Sequence, residues 1–297
     1  MGTNTFCYCS NLISVNFPAC KSIGANAFTA CYGLTSINFP VCTSIGVSAF
    51  AECSSLTSVN LPVCEKILYS VFDCCYNLTS VSFPVCTSIY SAAFNCCSSL
   101  TSVTFPVCKS IGDNAFNGCI NLVSASFPVC RRIGTNAFRD CNRLSFILLG
   151  GSSTCFLSHS IAFSSTPFAG YSAYFSGTPH IYVPASLITA YQNSTNWTYF
   201  SSYFSSIESL DDNTNNEGSE DWNGGDNTES GGDNLITFEI NGIQYQAEVG
   251  MTISDWVNSG YNIDGWTIQN NNLRDSDGTR YPLLGGVNAV IEQGAAF

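Results

Sequence analysis

One periodicity governs this chain. Phe17, Phe39, Leu61, Phe83, Phe105 and Phe127 recur every 22 residues, and each is followed by a proline: Pro18, Pro40, Pro62, Pro84, Pro106 and Pro128. The same step links Leu12, Leu34, Leu56, Leu78, Leu100, Leu122 and Leu144, then Ile23 to Ile133, then Phe28 to Phe138. A period of this length means that each unit is one supersecondary element, which buries its apolar face only against its neighbours. The chain is therefore predicted to stack its units into a solenoid rather than fold around a single central core. Ile37 and Phe39 alternate toward one face of a short strand, and Ile45, Ala49 and Phe50 close the core from the return path.

The segment LTSINFPVC, Leu34 to Cys42, fits the pattern L-x-x-L-x-L-x-x-N/C, in which a strand is followed by a turn and an irregular return. The predicted fold is thus a leucine-rich repeat solenoid of 22-residue units, with a parallel β-sheet on one side and mostly irregular return segments. The elements F-P-x-C and I-G-x-x-A-F-x-x-C closely resemble the BspA-like (Treponema pallidum type) leucine-rich repeat family of bacterial and protist surface proteins. The resemblance covers residues 1 to 149. It implies a non-enzymatic surface binding or adhesion role toward protein or glycan ligands on a host or cell surface, and a location on the bacterial cell surface or in the secreted fraction.

Both ends of the array carry information. Gly2 to Cys9, GTNTFCYC, matches the second half of a unit such as Gly24 to Cys31, GANAFTAC, so the chain opens inside a repeat. An uncapped end exposes core, and a longer natural protein or a neighbouring subunit is expected there. The first residues lack the basic start and apolar stretch of a secretory signal. At the other end Gly150 and Gly151 replace the expected proline and its neighbour, and the repeat is expected to stop. The stretch TPHIYVPASLITAYQNSTNW, Thr178 to Trp197, resembles the segment that closes many arrays of this family, so residues 150–207 are assigned to a C-terminal cap.

Charge divides the rest of the molecule. The net charge of −12 argues against a nucleic-acid backbone or an anionic membrane as partner, and no apolar run is long enough for membrane insertion. Yet residues 1–207 carry seven bases against five acids, while 208–234 carry nine acids and no base among Gly, Asn and Ser. Such a composition cannot bury apolar surface, so 208–234 reads as a disordered acidic linker. The exclusion of anionic partners is correspondingly weaker for the solenoid than for residues 208–297.

Residues 235–297 form the last predicted domain, a small α+β module. Alternating residues from Ile236 to Ile240 and Ile243 to Val249 flank Asn241-Gly242, a hairpin pattern, and Thr252-x-x-Asp255 is a capping box for a short helix bearing Trp256 and Val257. Further turns are expected at Asp277-Gly278 and Gly285-Gly286, and the order resembles a β-grasp-like module. The phrase EVGMTISDWVNSGYN resembles modules at the ends of gut bacterial and phage proteins. That resemblance implies docking onto virion or cell-envelope proteins through residues 235–297, and an alternative life as a phage fibre or decoration protein in the virion.

Seventeen cysteines raise disulfides, metal or catalysis. Thirteen fall on two repeat positions, Cys20 to Cys130 and Cys9 to Cys141, which reads as two ladders of small buried thiols; Cys7, Cys74, Cys96 and Cys155 lie off them. Parallel side chains on adjacent coils suit a disulfide poorly, and no histidine lies near for a metal. Cys155 and His159 could be imagined as a thiol–imidazole pair, but no acid orients them. Asp275-Ser-Asp-Gly278 fails the calcium-loop pattern at Leu273 and Leu284. No enzyme activity and no cofactor are expected.

Any binding surface must then lie on exposed repeat positions. Thr35, Ser36 and Asn38, with their equivalents in later units, make a nearly uniform hydroxyl face that offers little discrimination. The positions that vary are Tyr8, Tyr32, Tyr69, Tyr76 and Tyr90 and the group Arg131, Arg132, Arg139 and Arg143. Tyrosines offer rigid area with a polar tip, so these residues form the candidate contact set.

Overall fold

The computed structural model describes residues 1–170 and 177–212, together with the strands Leu235–Ile240, Ile243–Glu248, Thr267–Gln269, Asn272–Arg274 and Arg280–Tyr281. Each 22-residue unit makes one coil. Its three-residue strand, Ser36–Asn38 in the second coil, pairs in parallel and in register with its neighbour, Ser14↔Ser36 and Asn16↔Asn38. Phe39 then turns inward, and Pro40, which has no N–H to offer a ladder, ends the strand. The return path is more regular than the sequence suggests. It carries a second parallel ladder of two-residue strands, from Ser22–Ile23 through Arg132–Ile133 to Phe156–Leu157. The turn that follows holds two left-handed residues four apart, such as Asn26 and Ala30 or Ser48 and Glu52. Non-glycine residues resist that conformation. Here it is held by bonds to the next coil, among them Asn26 N to Val47 O at 2.9 Å and Ala30 N to Ala51 O at 2.9 Å.

The core is a set of columns running along the solenoid. Phe6, Phe28, Phe50, Phe72, Phe94, Phe116, Phe138 and Phe163 stack face to face, with successive centroids 5.1 to 5.6 Å apart. A parallel column of Phe17, Phe39, Phe83, Phe105 and Phe127 meets the first edge-on or at a tilt and is interrupted by Leu61.

The thiol ladders have a polar reason as well as a steric one. Cys53, Cys75, Cys97, Cys119 and Cys141 each donate to the carbonyl 25 residues earlier, at 3.1 to 3.3 Å. Cys42, Cys64, Cys86, Cys108 and Cys130 donate two residues onward. In the first set the carbonyl also accepts a backbone N–H, as Phe50 O does from Cys53 N at 3.2 Å, so the thiol takes up its second lone pair. All seventeen cysteines are free thiols; the ladder members at the open end are less covered, Cys9 being exposed and Cys20 half-buried.

Both ladders break between the second and third coils, and the front ladder breaks again between Ser80–Ser82 and Ser102–Thr104. The strands Ser36–Asn38 and Ser58–Asn60 do not pair, nor do Ser44–Ile45 and Lys66–Ile67. One position of the back ladder is glycine in most coils. A Cβ on Gly46 would lie 2.3 Å from Ala25 N and one on Gly112 2.5 Å from Ser91 N, so glycine lets successive backbones touch. Leu68 occupies the same position one coil after Gly46, where the ladder breaks, whereas Tyr90 one coil later keeps the pairing of Lys66–Ile67 with Ser88–Ile89 and its own bond to Ile67 O at 2.8 Å, so a side chain at this position does not by itself open the coils. The bonds from Gly46 N to Ile23 O and Gly112 N to Ile89 O, both 2.8 Å, have no counterpart from Leu68 N to Ile45 O.

The repeat does not stop at Gly150. Leu157 takes the place after Ile133 in the back ladder, Ala162 O accepts from Phe138 N at 2.8 Å, and Phe163 continues the ring column. Cys155 is likewise on a thiol ladder rather than off it, with its Sγ 3.7 Å from that of Cys130. The longer step hid this: the inserted residues around Gly151–Thr154 shift the period from 22 to 25, which is the spacing of Phe138 and Phe163. His180–Val183 and Phe204–Ser206 then add two more parallel strands to the front sheet. Between them Ala185–Leu187 and Ile188–Gln192 form a short helical turn.

Closure of the array is a matter of hydrogen bonds. Tyr191 Oη accepts from Cys155 N at 2.8 Å, Trp197 Nε1 donates to Cys155 O at 2.7 Å, and Asn196 Nδ2 donates to Leu157 O at 2.9 Å. Side chains here meet backbone groups that a further coil would have met. Trp197 and Phe200 cover the end of the ring column against Phe163, at 5.8 and 5.2 Å. Residues that the charge profile assigns to the tether take part: Glu208 Oε2 accepts from Ala185 N at 3.0 Å, and Ser209–Asp212 is helical.

Contacts divide the chain into Met1–Glu217 and Gly218–Phe297. In the second unit Leu235–Ile240 and Ile243–Glu248 pair antiparallel with Ile240 opposite Ile243, as a hairpin about Asn241-Gly242 requires, and three further strands pair antiparallel. The expected helix after Thr252, the turns at Asp277-Gly278 and Gly285-Gly286, the β-grasp-like arrangement and residues 213–234 of the tether lie outside the described residues.

Candidate functional site

The front face is less available than its composition suggests. Thr35 Oγ1 donates to Ile13 O at 3.1 Å, Thr57 to Thr35 O at 3.4 Å and Thr79 to Thr57 O at 3.0 Å. These three threonine hydroxyls thus fasten their coils to the ones before, and Asn38 Nδ2 is committed to Asn16 Oδ1 at 2.9 Å. The side chains left without such a bond include a regular row of serines, Ser36, Ser58, Ser80 and Ser102.

The five candidate tyrosines separate into two groups on either side of the turn. Tyr8, Tyr32 and Tyr76 lie where the turn ends, next to the second thiol ladder, and all three are exposed. Tyr32 Oη donates to Glu52 Oε2 at 3.2 Å; desolvation first, then this carboxylate, hold its phenol above the ordinary value. Tyr76 sits by Cys74, whose thiol pushes the phenol up to about 12. Tyr69 and Tyr90 lie where the turn begins and meet edge-on, with centroids 5.1 Å apart. Tyr90 and Leu68 fill successive glycine positions, so this aromatic pair sits beside the break in the back ladder.

The four arginines occupy three sides of one coil. Arg131 and Arg132 lie at the back ladder, Arg139 follows Phe138 in the turn, and Arg143 precedes the front strand. Arg132 lies over the Phe156 ring at 5.8 Å, and Arg139 Nε is 3.4 Å from Asp140 Oδ2. Among the described residues no ion pair joins them to another acid. The acidic residues 213–234, a candidate partner for them, lie outside the description.

Thiol chemistry finds no support in the geometry. Cys155 is buried; its hydrogen bond with Cys130 and then desolvation hold its thiol far above the ordinary range. His159 is exposed, and its Nδ1 accepts from Ile161 N at 3.2 Å as the cap of the turn Ser160–Phe163. Burial pushes Cys31 and Cys86 up to about 11 and Cys64 up to about 12. No set of three or more His, Cys, Asp or Glu among the described residues is placed to hold a metal ion.

One feature of the cap was not visible as a site in the sequence. The 3-10 turns Ser160–Phe163, Pro167–Ala169 and Thr198–Tyr203 surround a cavity of about 450 Å³. Tyr199 and Tyr203 line it at helical spacing, a signal that the assignment of the whole segment to the cap had absorbed.

Stacked parallel coils with a strand, a thiol turn and an aromatic column define a leucine-rich repeat solenoid. The chain belongs to the family described by the BspA type leucine rich repeat region, whose model matches residues 1–107 and 65–168 in six copies. Three solved structures are similar. One is a leucine rich cell surface protein from Faecalibacterium prausnitzii A2-165, 25% identical over 49% of this chain and 57% of that one, with TM-score 0.34. Another is a leucine-rich repeat protein from Bacteroides ovatus ATCC 8483, 26% identical over 59% and 52%, with TM-score 0.42. The third is the T. pallidum leucine rich repeat protein, 28% identical over 46% and 62%, with TM-score 0.36. The chain spans between 52% and 62% of the length of these proteins. None of the curated proteins matches it. No helix among the described residues is long and apolar enough to cross a membrane.

Proposed function

We propose that this chain is a non-enzymatic recognition protein of the bacterial surface or the secreted fraction, holding a protein or glycan ligand along the turn edges of its solenoid. Residues 235–297 would attach it to a larger assembly through the acidic tether. One observation carries the reading. The front face repeats itself and spends its threonine hydroxyls on neighbouring coils, whereas the exposed tyrosines differ from coil to coil and stand at the turns. Variation at exposed aromatic positions on a rigid frame is what discrimination requires. Tyr69 and Tyr90 form the best candidate anchor, because two rings 5.1 Å apart present a preformed contact. Family membership supports the location.

The test is an array of glycans and extracellular host proteins probed with the full chain, followed by the triple variant Tyr32→Ala, Tyr69→Ala, Tyr90→Ala. Binding by the parent and its loss in the variant are expected. An empty array, or a variant that binds as the parent does, would overturn the proposal.

A further inference from the structure

The cavity in the cap has a chemistry unlike the rest of the surface. Phe168 and Phe200, 2% and 3% exposed, line its buried part, and each packs edge-on against Phe163, at 5.9 and 5.2 Å. Tyr203 meets Phe168 edge-on at 5.7 Å, so one wall is locked into the core. Tyr199, 73% exposed, stands free at the rim. Ser160 and Ser164 supply hydroxyls, and no lining residue is charged. The hydroxyls of Ser160, Ser164, Tyr199 and Tyr203 form no hydrogen bond with another described residue, in contrast to the threonines of the front sheet.

We propose that this cleft binds a neutral saccharide. A pyranose has a face of C–H groups and a rim of hydroxyls. The first matches an aromatic ring, whose negative face attracts polarised hydrogens; the second matches uncommitted hydroxyls that both donate and accept. The volume lies within the roughly 300–1,000 Å³ of small-ligand sites. The lack of any Lys or Arg in the lining selects against phosphorylated or acidic sugars, which need a cation to replace their hydration. Tyr199 is the stacking platform, and Ser160 and Ser164 are the polar contacts. The proposal does not rest on the tyrosine edges of the solenoid, and either can fail alone.

The test uses the full chain with cello-, xylo-, manno- and chito-tetraose, and sialyllactose as the acidic comparison, read by saturation-transfer NMR and titration calorimetry. At least one neutral probe is expected to bind and sialyllactose is not. Tyr199→Ala should weaken binding about 10-fold or more, Tyr199→Phe by no more than about 3-fold, and the pair Ser160→Ala, Ser164→Ala by about 5-fold or more. The exposed ring at 199 touches little, so the melting temperature of its variants should stay within about 1–2 °C of the parent. No binding by any neutral probe would overturn the proposal, as would equal binding of sialyllactose. So would a Tyr199→Ala variant that binds like the parent while the Tyr69→Ala, Tyr90→Ala variant does not, which would place sugar binding on the solenoid edge instead.

Discussion

Removing one ring from the middle of the aromatic column tests what holds the coils together. Phe94 is fully buried, stacks on Phe72 and Phe116 with both centroids at 5.3 Å, and meets Phe83 and Phe105 at 6.2 and 6.0 Å. Truncating a buried Phe to Ala costs about 3–5 kcal/mol, the upper end applying where the surroundings cannot collapse. Rings clamped from both sides by coils fixed at strand spacing cannot collapse, so Phe94→Ala should cost about 4–5 kcal/mol. In a domain of this size that corresponds to a fall in Tm of about 8–20 °C. Phe6 has partners only on one side, Phe28 at 5.3 Å and Phe17 at 6.2 Å, so Phe6→Ala should cost about half as much. Exposed Phe156 should cost under about 1 kcal/mol. Urea unfolding followed by circular dichroism measures all three. If Phe94→Ala cost less than about 2 kcal/mol, or no more than Phe6→Ala, the column would not be the source of cohesion.

Three further outcomes follow from the geometry. Trp197→Phe should lower stability by about 1–3 kcal/mol, since Cys155 O loses its 2.7 Å donor in a buried place; a thermal melt that leaves the midpoint unchanged would refute the hydrogen-bonded cap. At pH 8 a disulfide reagent should react promptly with the poorly covered Cys7, Cys9 and Cys20 and more slowly with the half-buried Cys74 and Cys96, whose thiols desolvation holds above the ordinary value. A ladder thiol pushed up to about 11, such as Cys31 or Cys86, holds about a thousandth as thiolate, so prompt titration of ten or more thiols would contradict the buried ladders. Hydrogen bonds from Ser206, its own N–H and Ala185 hold Glu208 below the usual carboxylate range. Its folded pKa is depressed, so its contribution is present above the unfolded value and is lost as pH falls through the folded one. Glu208→Gln should flatten the acid limb of the melting profile, and an unchanged limb would remove Glu208 from the closure.

Much of this was legible because a repeat multiplies its own signal. The columns of Leu, Ile, Phe and Cys predicted the coil, the inward residues and the thiol ladders. The two-residue back ladder was not legible, since a Ser-Ile pair carries too few residues to display a period of two. The last half-coil escaped because the register changed at Gly150 and Gly151, so Cys155 read as an orphan when it continues its ladder after 25 residues rather than 22. On the surface, the sequence identified exposed tyrosines but not their division by the turn. Nor could it reveal that the front threonines are spent, because both depend on neighbours 22 residues away.

The interruption beside Leu68 has a mechanical meaning. Elsewhere at least one hydrogen-bonded ladder carries a bending load, but between Ser36–Ile45 and Ser58–Ile67 it falls on the turns, the core and the contacts of Thr57 with Thr35 O, through bonds such as Ser48 N to Tyr69 O at 3.0 Å. That interface is the most compliant joint of the rod. Val47 and Tyr69 stand on its two sides while Tyr90 lies one coil beyond Tyr69, so a ligand laid from Tyr69 back onto Val47 would act as a splint, and the occupied solenoid would be a stiffer object than the empty one.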